Sequence, residues 1–277
     1  MRCVLDGETL NEAQLRGVNL RGAVLKGATF LDADLTDADL SGTIISTTDF
    51  ERAILSGADL NGAQVSETQF SDAWLTAVNL SDATVCATSF RKAQLRDSRF
   101  QGAVLEGCKF CRAVLDSASF HHARFSTCDL SECQINRTEF HGAQMRACRL
   151  VSVSGIGANF SNTRVKACNF AKADLRGVKF SRAELGASQF DRALLIAADF
   201  RHADLSGVDF SRSDLSKAHF EGAKLFAADL RAANLTGAHE LTSGQLTQAR
   251  TNEATILPNG SNGPYRRHCG AERPVPV

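Results

Sequence analysis

The sequence predicts an all-β solenoid of about 11–12 four-sided coils, and two repeat lengths support this prediction. Through residues 5–235, almost every fifth residue is Leu or Phe, with a small residue two positions before it. Phe30, Phe50, Phe70, Phe90 and Phe110 are spaced by twenty residues, which is four of these blocks. Neither the 3.6-residue period of a helix nor the two-residue period of a strand gives a five-residue repeat.

Each five-residue block is predicted to be a very short strand followed by a bend. In a block such as Ala173-Asp174-Leu175, the small residue and the Leu are two apart, so both side chains point inward. The residue between them is usually polar and points outward. The next small residue follows after three positions, an odd step that would reverse the faces of a straight strand, so a corner must lie there. Ser, Arg, Gly and Asp fill these corners, and such residues suit turns.

The Phe spacing also predicts how the interior is filled. A second Phe series, from Phe100 to Phe220 in steps of twenty, lies ten residues out of phase with the first. Leu, Ile and Val fill most of the two intervening series, in which Phe125 is the single Phe. We therefore expect Phe columns on two opposite sides of each coil and aliphatic columns on the other two. At a coil spacing of ~4.8 Å the repeats would extend over roughly 55 Å.

This pattern resembles the pentapeptide-repeat family, whose motif is A(D/N)LXX with Leu or Phe at the centre. The resemblance covers residues 5–235 and implies a right-handed quadrilateral β-helix. Members of the family differ in role, so the resemblance implies little about function. Its bacterial members include accessory proteins of secretion systems and proteins that mimic DNA.

The repeats and their loss divide the chain into three predicted regions. Residues 1–235 form the pentapeptide-repeat β-helix, residues 236–257 a C-terminal helical cap, and residues 258–277 a disordered tail rich in Pro and Gly. Thr242 and Gln245 have capping-box spacing, which predicts the start of a short helix. Leu241, Leu246 and Ala249 would form its buried stripe.

Two residues depart from the repeat. Glu8 stands where a small inward residue is expected, which predicts a loose first coil without a cap. Gly155 replaces a central Leu or Phe. It either shapes a functional bend or is a tolerated defect in the repeat.

The cysteines and the lack of apolar segments indicate a cytoplasmic protein. No apolar run is long enough for a signal peptide or a membrane span. Most of the nine cysteines take the place of a small inward residue, where Cys acts as a small hydrophobic side chain and stays reduced. These inward cysteines are Cys3, Cys108, Cys128, Cys133, Cys148 and Cys168.

The sequence contains no motif that predicts an enzyme. It has no phosphate-binding loop, no nucleophile elbow and no zinc-type spacing. Cys108-x-x-Cys111 stands alone, and the corner residues His121 and His141 either share a cation or are simply solvated, the second being favoured. We expect no catalytic residue, no cofactor and no metal, and we expect neither nucleic acid nor membrane as a partner.

Charge is segregated along a chain that is neutral overall. Residues 31–90 hold ten acidic residues and one base, Arg52, which gives a net charge of −9, and residues 91–235 hold 22 bases and 15 acids, a net charge of +7. We call residues 31–90 the acidic segment. Its acidic residues are Asp32, Asp34, Asp37, Asp39, Asp49, Glu51, Asp59, Glu67, Asp72 and Asp82.

Outward apolar residues are the candidate interface. Val4, Val24 and Ile44 share one column, and Ile54 and Trp74 share another on the opposite side. Leu194 and Ile196 form a third candidate. An exposed Trp is typical of interface anchors, although scattered apolar surface is also normal. The first column starts at the uncapped N-terminal coil, so we also predict a homodimer through the N-terminal coils.

These observations favour a non-enzymatic cytosolic interaction or scaffold protein that presents a rigid surface to a protein partner or to itself. One alternative is a DNA mimic that protects a type II topoisomerase such as DNA gyrase and confers quinolone tolerance. It is less favoured because a mimic of 55 Å would carry on the order of 30 negative charges. A further alternative, from the resemblance, is an accessory protein of a bacterial secretion system.

Overall fold

The computed structural model describes residues 3–265, which divide between Ala143 and Gln144 into two compact units. In each unit the chain winds into a parallel β-solenoid. One coil in the first unit pairs with the next at four positions, Val4 with Val24, Thr9 with Thr29, Gln14 with Asp34 and Asn19 with Asp39. Each coil therefore has twenty residues and four sides. The predicted fold class is confirmed.

One side of the coils is regular enough to form three-residue strands. They pair in parallel with a twenty-residue offset, as in Val24 with Ile44. In the first unit they are β1 (Val24–Lys26), β2 (Ile44–Ser46), β3 (Gln64–Ser66), β4 (Thr84–Cys86), β5 (Val104–Glu106) and β6 (Arg124–Ser126). In the second unit they are β7 (Gln144–Arg146) and β8 (Arg164–Lys166), followed by the helix α1 (Ser243–Leu246).

Stacked phenylalanines fill the interior of the first unit as predicted. The rings of Phe30, Phe50 and Phe70 follow one another with centroids 4.8 and 5.0 Å apart and nearly parallel planes. The second Phe series meets the first across the coil, since Phe90 and Phe100 make an edge-to-face contact at 6.4 Å. Both geometries are favourable for aromatic pairs.

The second unit repeats this packing. Phe170 and Phe190 stack at 4.6 Å with an interplanar angle of 2°. The register continues without a bulge at Gly155, whose amide donates to the carbonyl of Asp174 at 2.8 Å. Both this bond and the preceding one, from the amide of Leu150 to the carbonyl of Asn169, join residues nineteen positions apart. Gly155 thus leaves the coil in register.

Most corners are tight turns closed by a backbone hydrogen bond. The amide of Ala33 donates to the carbonyl of Phe30 at 3.1 Å, and Asp32 between them has a φ of 57°. This left-handed conformation costs least for Gly, Asp and Asn. Gly is therefore the commonest residue at these corners, although Ala, Arg and Asp also adopt the same conformation there.

In many blocks an outward Asp or Asn supports the corner that follows it. Asp39 accepts hydrogen bonds from the amide of Ser41 at 3.0 Å and from its hydroxyl at 2.6 Å. Asp204 does the same for the amide of Ser206. These bonds lower the pKa of both carboxylates. The Asp or Asn of the repeat motif is thus a local turn-forming residue.

One corner of the coil is built differently and explains several inward cysteines. After β1, the carbonyl of Leu25 accepts a bond from the hydroxyl of Thr48 in the next coil, at 2.6 Å. The thiols of Cys108 and Cys128 donate in the same way, at 3.3 and 3.4 Å. These cysteines are buried and form no disulfide, as expected, but they are also hydrogen-bond donors. Their interpretation as purely apolar filler was incomplete.

The N-terminal coil is paired but uncovered within the described residues. Leu5 and Leu10 donate to the next coil at 2.9 and 2.7 Å, yet both side chains are only partly buried. Cys3 is exposed. The inward position predicted for Cys3 therefore does not bury it, because no described coil packs on that face. Glu8 is also exposed there.

The C-terminal coil is covered. Thr242 and Gln245 form the predicted capping box at the start of α1. Leu241 and Leu246 are buried and Ala249 partly so. The chain then rejoins the coil, since Ile256 pairs with Asn234.

Part of the predicted disordered tail has a defined path. Residues 258–265 fold back on the end of the coil, where Asn262 pairs with Ile256 and the amide of Gly263 donates to Thr255. The predicted tail beyond Tyr265 lies outside the described residues.

Candidate interaction surfaces

Ile54 and Trp74 form a paired apolar surface on the first unit. They are bridged across adjacent coils, and their side chains are 39% and 55% exposed. The backbone of Trp74 is bonded to the preceding coil, since its amide donates to Ala53 at 2.9 Å and its carbonyl accepts from Leu55 at 2.7 Å. Its neighbours Ala73 and Leu75 bond to Gln94 of the next coil at 2.9 and 2.8 Å. The indole therefore projects from a fixed position. We call this pair the Ile54–Trp74 surface.

Ion pairs occupy the corner that precedes this surface. The guanidinium of Arg52 makes two bonds to the carboxylate of Asp32, at 2.8 and 2.9 Å. These bonds lower the pKa of Asp32. Two coils further along the same corner, Nζ of Lys92 lies 4.0 Å from the carboxylate of Asp72. An apolar centre beside a charged border is the usual arrangement of a protein interface.

The second predicted column, Val4, Val24 and Ile44, also lies in adjacent coils. Val4 is 58% exposed, while Val24 and Ile44 are partly buried. Exposed Glu8 lies on the same uncovered edge, and a charged residue at an open edge opposes edge-to-edge pairing. The homodimer through this edge stays a prediction.

The third predicted site lies in the second unit. Leu194 is 42% exposed and Ile196 is partly buried. The sequence analysis missed Val104 and Ile156, which are 36% and 43% exposed. Val104 stands at an outward mid-side position, so the repeat register itself could have identified it.

The acidic residues of residues 31–90 have structural roles. Asp34, Asp39, Asp49 and Asp59 accept from the amide two residues ahead. Five other acidic residues of the segment stand at corners with positive φ, namely Asp32, Asp37, Glu67, Asp72 and Asp82. Two bases from outside the segment, Arg16 and Lys92, pair with Asp34 and Asp72.

The histidines and thiols do not converge on a reactive group in the described part of the chain. The rings of His121 and His141 lie 6.1 Å apart, and Nδ1 of His121 shares a hydrogen bond with Ser119 at 2.7 Å. Among residues 3–265, no cluster of three or more His, Cys, Asp and Glu residues could hold a metal ion. Nor does any helix in that range have the length and apolarity to cross a membrane.

A shallow groove of about 440 Å³ runs along one corner of the first unit. Gly22, Gly42 and Gly62 form its floor, and Cβ atoms built at these positions would meet nothing within 4 Å. Polar groups of Arg21 and Asn61 line its sides, together with Ser41 and Asp59. The groove exists because three successive coils lack a side chain at the same corner.

Comparison with known proteins agrees with this architecture. Profiles described as pentapeptide repeat region and pentapeptide repeats match residues 43–120, 120–200, 9–46, 193–231, 203–239 and 213–250. The chain belongs to the pentapeptide repeat family. No curated protein matches this pentapeptide repeat protein.

Several solved pentapeptide repeat structures resemble the chain. HetL from the cyanobacterium Nostoc, involved in heterocyst differentiation regulation, is 26% identical over 90% of this chain and 94% of its own, with a TM-score of 0.45. QnrB1, a plasmid-mediated fluoroquinolone resistance protein, is 21% identical over 80% of this chain and 89% of its own, with a TM-score of 0.42. A thylakoid lumen protein of Arabidopsis thaliana is 21% identical over 48% and 79%, with a TM-score of 0.30.

Proposed function

We propose that this pentapeptide repeat protein is a non-enzymatic, cytosolic scaffold that binds a protein partner through the Ile54–Trp74 surface. The observation that supports this proposal is a Trp side chain, 55% exposed, in a backbone segment, residues 73–75, that is hydrogen-bonded to the preceding and the following coil. Trp is enriched among the residues that dominate binding energy at protein interfaces.

The rigid backbone favours binding at this surface. Ordering a flexible loop or side chain on association costs free energy, and Trp74 needs no backbone ordering because its amide and carbonyl are already paired. Its indole offers about 150–250 Å² of surface to bury. The Arg52–Asp32 pair beside it adds a charged border that favours correctly oriented partners.

The filled interior supports a scaffold in preference to an enzyme. The inward positions of both units hold Ala, Leu and Phe packed to zero or nearly zero exposure. Substrates of enzymes usually occupy a concave site with converging polar groups, and the coil interior leaves no space for one. The buried thiols that form no disulfide, such as Cys108 and Cys133, suit a reducing compartment.

DNA mimicry is the second candidate, and the acidic segment is the observation that favours it. Three coils of the segment cover roughly 15 Å, so its net charge of −9 approaches the one charge per ~1.7 Å of B-DNA. The match is confined to those coils, and Arg16 and Lys92 partly neutralise it. A gyrase supercoiling assay with a quinolone tests this candidate. Absence of protection at micromolar protein rules it out.

An affinity capture with matched variants tests the scaffold proposal. The wild-type chain, Trp74→Ser and Gln69→Ser would each be used to capture proteins from the native host, with identification by mass spectrometry. Gln69 is an exposed outward residue of the same unit, so it controls for loss of surface area. We expect one protein to be retained by wild type and Gln69→Ser and lost with Trp74→Ser. Equal retention by all three would contradict the proposal.

A further inference from the structure

We propose that Arg146, Arg164 and Lys166 form a basic face on strands β7 and β8 that binds an extended acidic peptide of a partner protein. We call these three residues the β7–β8 face. It belongs to the second unit and shares no residue with the Ile54–Trp74 surface, so the proposal goes beyond the proposed function.

The three cations lie on one side of two adjacent coils. Strand β7 pairs in parallel with β8, with Gln144 opposite Arg164 and Arg146 opposite Lys166. The central residue of each strand is buried, so the residues at both ends point outward. All four outward side chains are exposed. They form a rectangle of outward positions, of which three are cationic.

Acidic residues are scarce around the β7–β8 face. Residues 144–173 hold five bases, Arg146, Arg149, Arg164, Lys166 and Lys172, and no acidic residue. Glu184 pairs with the face from the next coil, 3.3 Å from Nε of Arg164. That bond uses one of the five N–H donors of the guanidinium. Three bases against this one acid leave the face with a net charge of +2.

Arg146 and Lys166 are the uncompensated cations of the face. Among the described residues, no carboxylate oxygen lies within 4.0 Å of their charged nitrogens. The two residues stand directly opposite each other on strands that are ~4.8 Å apart. Like charges in this position destabilise a sheet. An anionic group bound between them would remove the repulsion.

The corner that carries these two cations is fixed from the inside. The thiol of Cys148 donates to the carbonyl of Arg146 at 3.4 Å, and Cys168 makes the equivalent bond one coil further at 3.5 Å. The next residue in this corner column is Gly186, which has no side chain to cover Lys166. The face is therefore open and needs no backbone ordering when a ligand binds.

The spacing of the cations fits an extended peptide. Arg164 and Lys166 are two residues apart in β8, which separates them by about 6.6 Å at ~3.3 Å per residue. Alternate side chains of an extended peptide point to one side with the same spacing. Two carboxylates separated by one residue can therefore contact Arg164 and Lys166 together. The guanidinium groups also suit bidentate binding of carboxylates.

The surroundings of the face favour a peptide over other polyanions. Single-stranded nucleic acids bind to grooves in which aromatic side chains stack on the bases. The exposed neighbours in the two strands and the corners after them are Gln144, Ala147 and Ala167, which offer no such platform. Binding to an anionic lipid surface requires larger basic clusters or apolar side chains that enter the membrane.

Fluorescence anisotropy with the full chain tests the proposal. The probe is a fluorescein-labelled peptide in which Glu alternates with Thr, at about 50 mM salt, where screening of exposed charges is weak. We expect saturable binding that weakens at about 0.5 M salt. A peptide in which Gln replaces every Glu should not bind.

Two variants of the face have opposite expected effects. Arg146→Glu combined with Lys166→Glu should weaken peptide affinity at least about tenfold, because two attractions become repulsions. Gln144→Arg fills the fourth position of the rectangle and should tighten binding about threefold. A gain in affinity does not result from misfolding, and circular dichroism would confirm that the double variant folds.

Arg192→Glu combined with Arg212→Glu is the matched control. These cations also occupy one corner position in adjacent coils and are exposed, so the charge change is the same. Unlike Arg146 and Lys166, they have Asp191 and Asp214 beside them in the sequence. Their reversal should change peptide affinity by less than about twofold.

Three outcomes would overturn the proposal. The first is a wild-type chain that does not bind the Glu–Thr peptide. The second is equal weakening by the two double variants, which would reflect overall charge alone. The third is tighter binding of an oligothymidylate of equal charge, or of vesicles containing phosphatidylserine, that is lost with Arg146→Glu and Lys166→Glu. That result would assign the face to phosphate groups.

The proposed scaffold function is tested separately. Trp74→Ser should leave affinity for the Glu–Thr peptide unchanged, because Trp74 is not part of the β7–β8 face. A fall in peptide affinity with Trp74→Ser would place the peptide on the Ile54–Trp74 surface and overturn the proposal. The capture result with Trp74→Ser does not depend on whether the β7–β8 face binds this peptide.

Discussion

Replacing Phe190 by Ala is predicted to be among the most destabilising single changes in the second unit. The Phe190 ring is fully buried and stacks on Phe170 at 4.6 Å and on Phe210 at 5.4 Å. It also meets Phe180 edge-on at 5.7 Å. Truncating a buried Phe costs about 3–5 kcal/mol. Each aromatic pair adds about 0.5–1.5 kcal/mol beyond area burial. We therefore expect a loss near the upper end of the range, about 5 kcal/mol.

Gln189→Ala is the matched control. Gln189 is the adjacent residue, it faces outward and its side chain is exposed. Its replacement should change the free energy of unfolding by less than about 0.5 kcal/mol. Urea unfolding followed by circular dichroism measures both variants, with the shift in midpoint as the readout. Equal shifts for the two variants would refute the assignment of inward and outward faces on which the fold description depends.

Three further predictions concern corners, thiols and pH. Gly142→Ala should destabilise by about 1–2 kcal/mol more than Gly62→Ala in thermal melts. Both glycines have positive φ, but only a Cβ at Gly142 would lie 2.5 Å from Nδ1 of His122, so His122→Ala should remove the difference. A thiol reagent should modify Cys3 before the buried thiols, with mass spectrometry of digests as the assay and simultaneous modification as the contrary result. Carboxylates such as Asp204 have a lowered pKa in the folded state, so they stabilise the fold above about pH 4. This contribution is lost as the pH falls through the folded-state pKa, and urea midpoints that do not drop between pH 7 and pH 3 would contradict it.

The spacing of the repeats was sufficient to predict the fold, because each twenty-residue repeat in the sequence forms one coil of the structure. Phe30 and Phe50 are twenty residues apart in the sequence and 4.8 Å apart as stacked rings. The capping box at Thr242 and Gln245 was predicted for the same reason, since it depends on a three-residue spacing. A contact that depends on a fixed spacing between residues can therefore be predicted from the sequence alone.

The missed features depend on contacts that the repeat does not encode. The repeat identified the outward position of Asp39 but not its bonds to Ser41, which depend on the rotation of the carboxylate. It placed Cys108 inward without showing that the carbonyl of Val85, left open by a different corner, accepts its thiol. Cys3 fits the inward pattern yet is exposed, because burial of an inward position also requires a covering coil.

The interaction surface was only partly predictable. An outward Trp74 follows from the register, and so does its neighbour Ile54. The missing ion partner of Arg192 in the described part of the chain also follows from the register, because Lys172 and Arg212 stand twenty residues to either side of it, whereas Asp32 stands twenty residues before Arg52 and pairs with it. The register does not give the degree of exposure, since outward Trp74 is 55% exposed and outward Val24 is partly buried.

Site-specific photocrosslinking in the native host tests the central claim most directly. A photoreactive aromatic amino acid would replace Trp74 in one variant and Gln69 in another, so that both probes project from mid-side positions of the first unit. If the Ile54–Trp74 surface binds a protein partner, irradiation should give one discrete crosslinked species from position 74 and none from position 69. Identical crosslinks from both positions, or no crosslink from position 74, would contradict the account.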